Sequence, residues 1–102
     1  MILCYTTTNK LEEANLIAES LVLEEVIACA NIISGMQSIY KWKGEVCREQ
    51  EYIILMKTRD KNFDKIEARL KDLHSYDCPC LFSVEMKSIE ESYLSWLLEE
   101  TK

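Results

Sequence analysis

The sequence contains few residues that break regular structure, with two glycines and one proline among 102 residues. Gly/Ser linkers and glycine-rich phosphate loops need several glycines close together, so neither is expected. Long hydrophobic runs are also absent. The first apolar run, Met1 to Tyr5, is too short for a signal-sequence core or a membrane span, and polar residues from Thr6 to Asn9 end it. We therefore expect one domain, 1–102, in the cytoplasm and without a membrane partner.

Basic residues are outnumbered by acidic ones. Twelve Lys and Arg face eighteen Asp and Glu, which gives a net charge of −6, and the basic residues are scattered among the acids. Excess negative charge repels a phosphate backbone, so we expect no nucleic-acid partner. The hydrophobic fraction of 48% and the charged fraction of 29% are ordinary for a globular protein, and exclude a disordered or fibrous chain.

The cysteines show no disulfide-scaffold spacing. There are five of them: Cys4, Cys29, Cys47, Cys78 and Cys80. An odd number in a reducing compartment predicts free thiols. Cys29 lies among Ala and Ile residues, where a cysteine behaves as a small hydrophobic side chain, so we predict that it is a core residue. The same interpretation applies to Cys4 and Cys47.

The first quarter of the chain predicts a strand followed by a helix. Ile2–Thr8 is a β-favouring run, and Asn9 with Glu12 has the spacing of a capping box at a helix start. Apolar residues then recur at helical intervals as far as about Glu25. The predicted buried side of this helix comprises Leu11, Ala14, Ala18, Leu21 and Val22.

The middle of the chain predicts a buried strand and a long hairpin. Val26–Ile33 is apolar at nearly every position and too short for another helix, so it predicts a strand covered on both faces. Met36–Trp42 and Glu45–Lys57 flank the pair Lys43-Gly44. A glycine there supplies the positive φ of a tight turn, which indicates a hairpin.

The remainder predicts two helices and one strand. Asp60 is a candidate cap for a helix. Its apolar residues are Phe63, Ile66, Leu70 and Leu73. A loop, His74 to Pro79, precedes a strand from about Cys80 to Met86, and Ser88 with Glu91 has the spacing of a second capping box. The terminal helix uses Ile89, Tyr93, Trp96 and Leu97.

This element order, β-α-β-β-α-β with an extra C-terminal helix, predicts an α+β, ferredoxin-like fold whose antiparallel sheet carries two helices on one face. The strands Val26–Ile33 and Tyr52–Met56 are nevertheless apolar on both sides. An uncovered apolar face of this size exceeds what soluble monomers tolerate, so we predict an oligomer in which sheet packs on sheet. The alternative is that the terminal helix alone completes the core.

Three side chains are predicted to lie between subunits. Tyr40 and Trp42 share one side of a hairpin arm, and a long isolated hairpin is marginal in water, so we expect this pair to contact a neighbouring subunit. The alternative is a local aromatic cluster within the hairpin. Asn31, polar in an apolar strand, is expected to hydrogen-bond to backbone or to line a cleft between subunits.

The main candidate for chemistry is Cys78-Pro79-Cys80 with His74 four residues earlier. Two thiolates and an imidazole suit Cu(I) or Zn(II), which makes His74, Cys78 and Cys80 candidate metal ligands. A single C-x-C lacks the second pair of a zinc ribbon, so the alternative is that these are packed small residues. No nucleophile turn lies near the one histidine in sequence, and we expect no enzymatic activity.

Three longer segments carry a resemblance to a known family. Ala28–Gly35 (ACANIISG), Ser38–Gly44 (SIYKWKG) and Glu51–Thr58 (EYIILMKT) resemble the CutA family of divalent-cation tolerance proteins in order and spacing. Shorter matches are Thr6-Thr7, His74-x-Tyr76-x-x-Pro79 and Tyr93-Leu94-Ser95-Trp96. The resemblance implies a ferredoxin-like fold, a homotrimer built by long strands shared between subunits, a PII-like architecture, an association with copper, and no settled catalytic activity.

The resemblance also shows a departure at Cys80, where the family usually has an acid that is a suspected ligand. A thiolate at Cys80 would favour soft ions such as Cu(I), whereas a buried thiol would remove the site. The implied function is tolerance to divalent or heavy-metal cations by a non-enzymatic, copper-type metal-binding homotrimer. The alternative is a PII-like regulatory or scaffolding trimer that binds a small molecule or a partner protein in clefts between subunits.

Overall fold

A four-stranded antiparallel sheet in the order β2-β3-β1-β4 organises the fold. The computed structural model describes residues 1–102, and its strands are β1 (Ile2–Thr8), β2 (Cys29–Trp42), β3 (Glu45–Thr58) and β4 (Phe82–Glu85). The helices are α1 (Leu11–Leu23), α2 (Phe63–Leu73) and α3 (Glu91–Glu99), with a 3₁₀ turn at Asp60–Asn62. The α+β, ferredoxin-like arrangement with a long hairpin and an added helix is confirmed. None of the helices has both the length and the apolar character needed to cross a bilayer.

The core lies between the sheet and the helices α1 and α2. Residues that oppose each other in register share a face of the sheet, so Cys4 and Met56 both point toward these helices. The buried cluster comprises Ile2, Cys4, Ala14, Ile17, Leu21, Val26, Ile27, Ile54, Met56, Ile66 and Leu70. The chain therefore builds its core on one face of the sheet.

Helix α1 begins and ends differently from the sequence prediction. Its N-cap is Lys10, with no side-chain cap, so the predicted capping box at Asn9 is wrong. The helix ends at Leu23 because Glu25 adopts a positive φ of 60°. The Glu25 N–H then bonds to the Val22 carbonyl and the Val26 N–H to the Leu21 carbonyl, each at 3.0 Å. This is the Schellman arrangement that closes many helices.

The Schellman arrangement also shortens the following strand. The Val26 and Ile27 N–H groups both bond to Leu21, and the pairing with β3 begins where Ala28 N–H bonds to the Lys57 carbonyl at 2.9 Å. Residues 26–28 are buried, as predicted, but they form a connection, and β2 starts at Cys29. The predicted strand Val26–Ile33 is therefore wrong at its start.

The long hairpin of β2 and β3 follows the prediction. Lys43 and Gly44 both have positive φ, 50° and 83°, as a two-residue type I′ turn requires. A register shift lies between Ile33 and Met36, and Gly35 with φ 77° sits inside it. Glycine suits a bulge that needs the left-handed region. Beyond the bulge the hairpin arm is mostly exposed, which accounts for the long dimension of 46 Å.

The other two predicted caps are wrong. The Asp60 carboxylate pairs with the Met1 ammonium at 2.8 Å, and α2 begins after the 3₁₀ turn with Asn62 as its N-cap. The Asn62 side chain makes no capping bond and donates instead to the Val26 carbonyl at 3.0 Å. Helix α3 is capped by Glu90, whose carboxylate accepts from the Ser92 and Tyr93 N–H groups at 3.0 and 2.8 Å. Glutamate reaches these donors because its longer side chain folds back over the first turn. The strand β4 is also shorter than the predicted 80–86.

The five cysteines are free, as predicted. Cys4 is fully buried, and burial raises the pKa of its thiol to about 11, so it is an inert core residue. The core prediction for Cys29 is wrong: this residue opposes Lys57, on the face turned away from α1 and α2, and is half-buried. Cys47 lies in the exposed hairpin arm and is also outside the core.

The packing of α1 predicts that truncating two adjacent residues has very different effects on the free energy of unfolding. Ile17 is completely buried, whereas Leu16 is 52% exposed. We expect Ile17→Ala to lower the free energy of unfolding by about 2–5 kcal/mol, because the truncation leaves a cavity. Leu16→Ala is the matched control and should change it by less than about 0.5 kcal/mol. Urea unfolding measures both; comparable losses in the two variants would contradict the described packing.

Candidate functional site

The face of the sheet turned away from α1 and α2 is largely uncovered, and we call it the open face. Its apolar side chains are Leu3, Tyr5, Ile33, Ile53, Leu55, Phe82 and Val84. Phe82 and Val84 are 51% and 49% exposed, and the Phe82 ring stacks on Tyr5 with centroids 4.8 Å apart. Helix α3 buries Leu97 but leaves this region open. The strands are thus apolar on both sides, and the terminal helix does not complete the core.

The three residues predicted between subunits are all exposed. Trp42 is 62% exposed and Tyr40 40% exposed on the hairpin arm, and both are available to a neighbour. Asn31 makes no side-chain bond to backbone, and its Oδ1 instead accepts from the Lys57 Nζ at 2.8 Å, so of its two predicted roles the cleft between subunits stays open. The reason is that Asn31 faces the open side beside the lysine. The intersubunit contacts of the three residues stay predictions.

A buried carboxylate lies where the hairpin arm meets the sheet. Glu51, 7% exposed, accepts hydrogen bonds from the Ser38 hydroxyl, the Tyr76 hydroxyl at 2.7 Å and the Thr7 hydroxyl at 3.4 Å. We call these four residues the Glu51 cluster. None of the chain's ion pairs involves Glu51. Neutral hydroxyls therefore offset the cost of burying this group.

Tyr76 is suited to its role as a donor. Burial raises its pKa, and the hydrogen bond to Glu51 and the negative charge of that carboxylate raise it further. The phenol therefore stays protonated and keeps donating to Glu51. Sequence reasoning missed this cluster, because its three hydroxyls lie 13, 25 and 44 positions from Glu51 in the chain and no local spacing joins them.

His74 is buried and uses both ring nitrogens. Nε2 lies 2.7 Å from the Thr7 carbonyl, and the Tyr76 N–H lies 3.0 Å from Nδ1. A carbonyl only accepts and a backbone N–H only donates, so the ring is neutral with its proton on Nε2. Neither nitrogen then has a lone pair free for a metal ion. To act as a ligand, His74 must give up one of these two bonds.

The two candidate thiols lie in different surroundings. Cys80 Sγ is 3.6 Å from the Thr7 hydroxyl, at the border of the Glu51 cluster. Cys78 lines a shallow cavity of about 230 Å³ beside α2. Both cysteines are exposed, and no group of three or more His, Cys, Asp or Glu side chains is arranged to hold a metal ion. The His74, Cys78 and Cys80 site stays a prediction.

A second polar group lies at the other end of the open face. Lys57 donates to Asn31, its Nζ lies 5.7 Å from the centre of the Tyr93 ring, and Cys29 Sγ is 3.7 Å from the Tyr93 hydroxyl. We call these four residues the Lys57 cluster. Cys29 and Lys57 are direct partners in the β2–β3 register. Sequence reasoning did not pair them, because the bulge near Gly35 shifts the register of the hairpin.

Glu13 joins the start of α1 to the loop that contains His74. Its carboxylate accepts from the Thr8 hydroxyl and from the N–H and hydroxyl of Ser75, at 2.9 and 3.2 Å. Burial by itself raises the pKa of Glu13. The bonds from the Thr8 hydroxyl and from Ser75 outweigh burial, and the pKa of Glu13 is below its usual value of 4.5.

This lowered pKa gives Glu13 a stabilising contribution that is lost in acid. The contribution is complete above the unfolded pKa and falls as pH drops through the lower folded pKa. We expect Glu13→Gln to be less stable than the parent chain near pH 7, by about 1–3 kcal/mol, and the difference to close below about pH 4. Urea unfolding across this pH range measures it. The exposed neighbour Glu12, changed to Gln, is the control; a Glu13→Gln deficit that does not change with pH would contradict the described bonding.

Comparison with known proteins places the chain in a family. The sequence model for "CutA1 divalent ion tolerance protein" matches residues 2–100. The divalent-cation tolerance protein CutA of Pyrococcus horikoshii is 36% identical over 102 residues, 100% of this chain and 99% of the relative. The structure of the divalent cation tolerance protein from Thermus thermophilus is similar with a TM-score of 0.96 and 39% identity, covering 100% of both chains. The periplasmic divalent cation tolerance protein CutA of Archaeoglobus fulgidus gives 0.96 and 30% over 100% of both chains. The chain therefore belongs to the CutA1 divalent ion tolerance protein family.

Proposed function

We propose that the chain serves in tolerance to divalent or heavy-metal cations as a non-catalytic homotrimer that binds a copper-type metal ion. Family membership supports the tolerance role, because the family and its curated relatives carry that name. The main evidence for self-association is the open face, whose aromatic and aliphatic side chains remain half exposed in the single chain. Burying them requires another copy of the chain or a partner.

The edges of the sheet support self-association. In the order β2-β3-β1-β4, the outer strands are β2 and β4, and each has one edge without a strand neighbour. The free edge of β2 is 14 residues long. Long free edges pair readily with other chains, and soluble proteins normally cover them. A cyclic assembly can cover the free edge of β2 and bury the apolar open face at the same time. The family resemblance implies that this assembly has three copies.

If Trp42 contacts a neighbouring subunit, truncating it should make the oligomer dissociate more readily on dilution. Sedimentation at micromolar concentration should give about three times the chain mass of 11.9 kDa. Trp42→Ala should weaken assembly by about 2 kcal/mol per subunit, because a buried aromatic anchor is lost, and free monomer should appear on dilution. Leu23→Ala, on the end of α1 and 83% exposed, is the control. A parent chain that sediments as a monomer would end this proposal.

The metal component rests on the thiols near the Glu51 cluster. Thr7 Oγ1 lies 3.6 Å from Cys80 Sγ and 3.4 Å from the Glu51 carboxylate, so a soft and a hard donor flank one hydroxyl. Cys78 is two residues away and exposed. Thiolates select soft ions such as Cu(I), and Zn(II) is the next candidate. The His74 ring joins this set after release of its bond from the Tyr76 N–H.

Metal titration tests the thiols directly. We expect fully reduced protein to bind Cu(I) more tightly than Zn(II), and the double variant Cys78→Ala/Cys80→Ala to lose at least about tenfold in affinity for Cu(I). Cys47→Ala removes a thiol from the hairpin arm instead and should bind like the parent chain. Competition with a chromogenic chelator measures the affinities. An unchanged affinity in the double variant would exclude this site.

The Glu51 cluster favours a second candidate, a PII-like regulatory or scaffolding trimer. A buried carboxylate fixed by three hydroxyls beside apolar surface is typical of a ligand site, and its position at the border of the open face is where a neighbouring copy would form a cleft. This candidate needs no metal. The Cys78→Ala/Cys80→Ala variant therefore separates the two, since a regulatory trimer tolerates it.

A further inference from the structure

We propose that the Lys57 cluster binds a small oxyanion, namely a phosphate or carboxylate group of a small molecule. The cluster combines the start of β2, the end of β3 and one residue of α3. Lys57 and Glu51 lie on the same face of β3 but six residues apart, which separates the two clusters by about 20 Å. The inference goes beyond the cation role and does not depend on it.

Lys57 is the charged group of the site, and no carboxylate of the chain pairs with it. The ion pairs of the structure engage the Met1 ammonium, Arg69 and Lys102. Every other lysine is exposed to solvent, whereas Lys57 is half-buried on the open face, opposite the apolar Leu3. Partial burial of an ammonium costs free energy unless a negative group compensates it. A bound anion supplies that compensation.

The ammonium is held in place by neutral partners. Asn31 Oδ1 accepts from Nζ at 2.8 Å, and the face of the Tyr93 ring lies 5.7 Å away. The Tyr93 ring in turn stacks on Trp96 with centroids 5.9 Å apart. These contacts fix the position of the charge without cancelling it. Because an ammonium has three N–H donors and Asn31 takes one, donors remain for a ligand.

The protonation of Lys57 is consistent with this role. Burial by itself lowers the pKa of Lys57, but the neighbouring Tyr93 and Cys29 side chains outweigh burial and leave the pKa above its usual value. The side chain is therefore charged at neutral pH. This positive charge repels metal cations, so the Lys57 cluster is not suited to bind the metal ion of the proposed tolerance function.

The other polar groups of the cluster are also donors. Asn31 uses its carbonyl oxygen for Lys57, and its exposed amide NH₂ has no partner in the structure. The Tyr93 hydroxyl is a further donor, with a thiol 3.7 Å away as its neighbour. The nearby Glu90 carboxylate is turned back onto the first turn of α3. An ammonium, an amide and a phenol together match the oxygens of a phosphate or carboxylate.

Net charge restricts the size of the anion. At −6 the chain repels extended polyanions, which excludes nucleic acid and anionic membranes as occupants. A small anion experiences mainly the local positive charge, because screening removes most of the longer-range repulsion at moderate salt. The site therefore fits a metabolite-sized ligand.

Trp96 reports on the site through its contact with Tyr93. In a Trp42→Phe background Trp96 is the remaining tryptophan, and its emission should change saturably on titration with inorganic phosphate or sodium acetate at constant ionic strength. Lys57→Met should raise the dissociation constant at least about tenfold, because the charge-assisted bonds are lost. Lys61→Met removes an exposed lysine and should leave the titration unchanged.

A second variant keeps the test decisive if Lys57→Met does not fold. Asn31→Asp places a carboxylate against the ammonium and should abolish anion binding while keeping the fold. A response to phosphate alone, acetate alone or both supports the site and identifies its ligand class. The absence of a saturable response to both anions would overturn the proposal. This outcome includes the case in which a carboxylate of a neighbouring copy already fills the site. Equal responses in the parent chain, Lys57→Met and Asn31→Asp would overturn it as well.

Discussion

The helices α1 and α2 cover one face of the sheet, and α3 leaves much of the other face uncovered. Everything of functional interest follows from that constraint. Each large apolar side chain left half exposed on the open face forgoes up to about 1.5–3 kcal/mol of burial, which a neighbouring copy would recover. Polar clusters occupy both ends of this face, around Glu51 and around Lys57, with apolar side chains such as Leu55 between them. Opposite charges thus mark the two borders of one apolar surface.

The fold was largely predictable because its determinants are local. Helical spacing, the Lys43-Gly44 turn and the two-sided apolar strands identified the element order and the exposed second face. The helix ends were not predictable, since they depend on residues that the usual rules do not favour. Glu25 adopts the left-handed conformation where glycine is usual, and Glu90 caps α3 in place of a serine. In both cases the surrounding structure outweighs the local preference.

The candidate site was less predictable, because its groups meet through the tertiary structure. Sequence spacing joined His74, Cys78 and Cys80, yet the folded chain commits the imidazole to the backbone of Thr7 and Tyr76. Glu51 instead receives hydroxyls from the hairpin, β1 and the loop after α2, a convergence that no spacing encodes. The Lys57 cluster depends on the register of β2 against β3, which the bulge at Gly35 shifts.

The position of β1 has a consequence for folding. β1 is the first strand along the chain but lies inside the sheet, between β3 and β4. Residues of β1 pair with residues as far along the chain as Thr58 and Glu85, so the sheet forms only after most of the chain has been synthesised. Such distant pairings raise the contact order and slow folding. Until they form, the nascent chain displays Ile2–Thr8 as an unpaired apolar strand, which is the segment most in need of protection from aggregation.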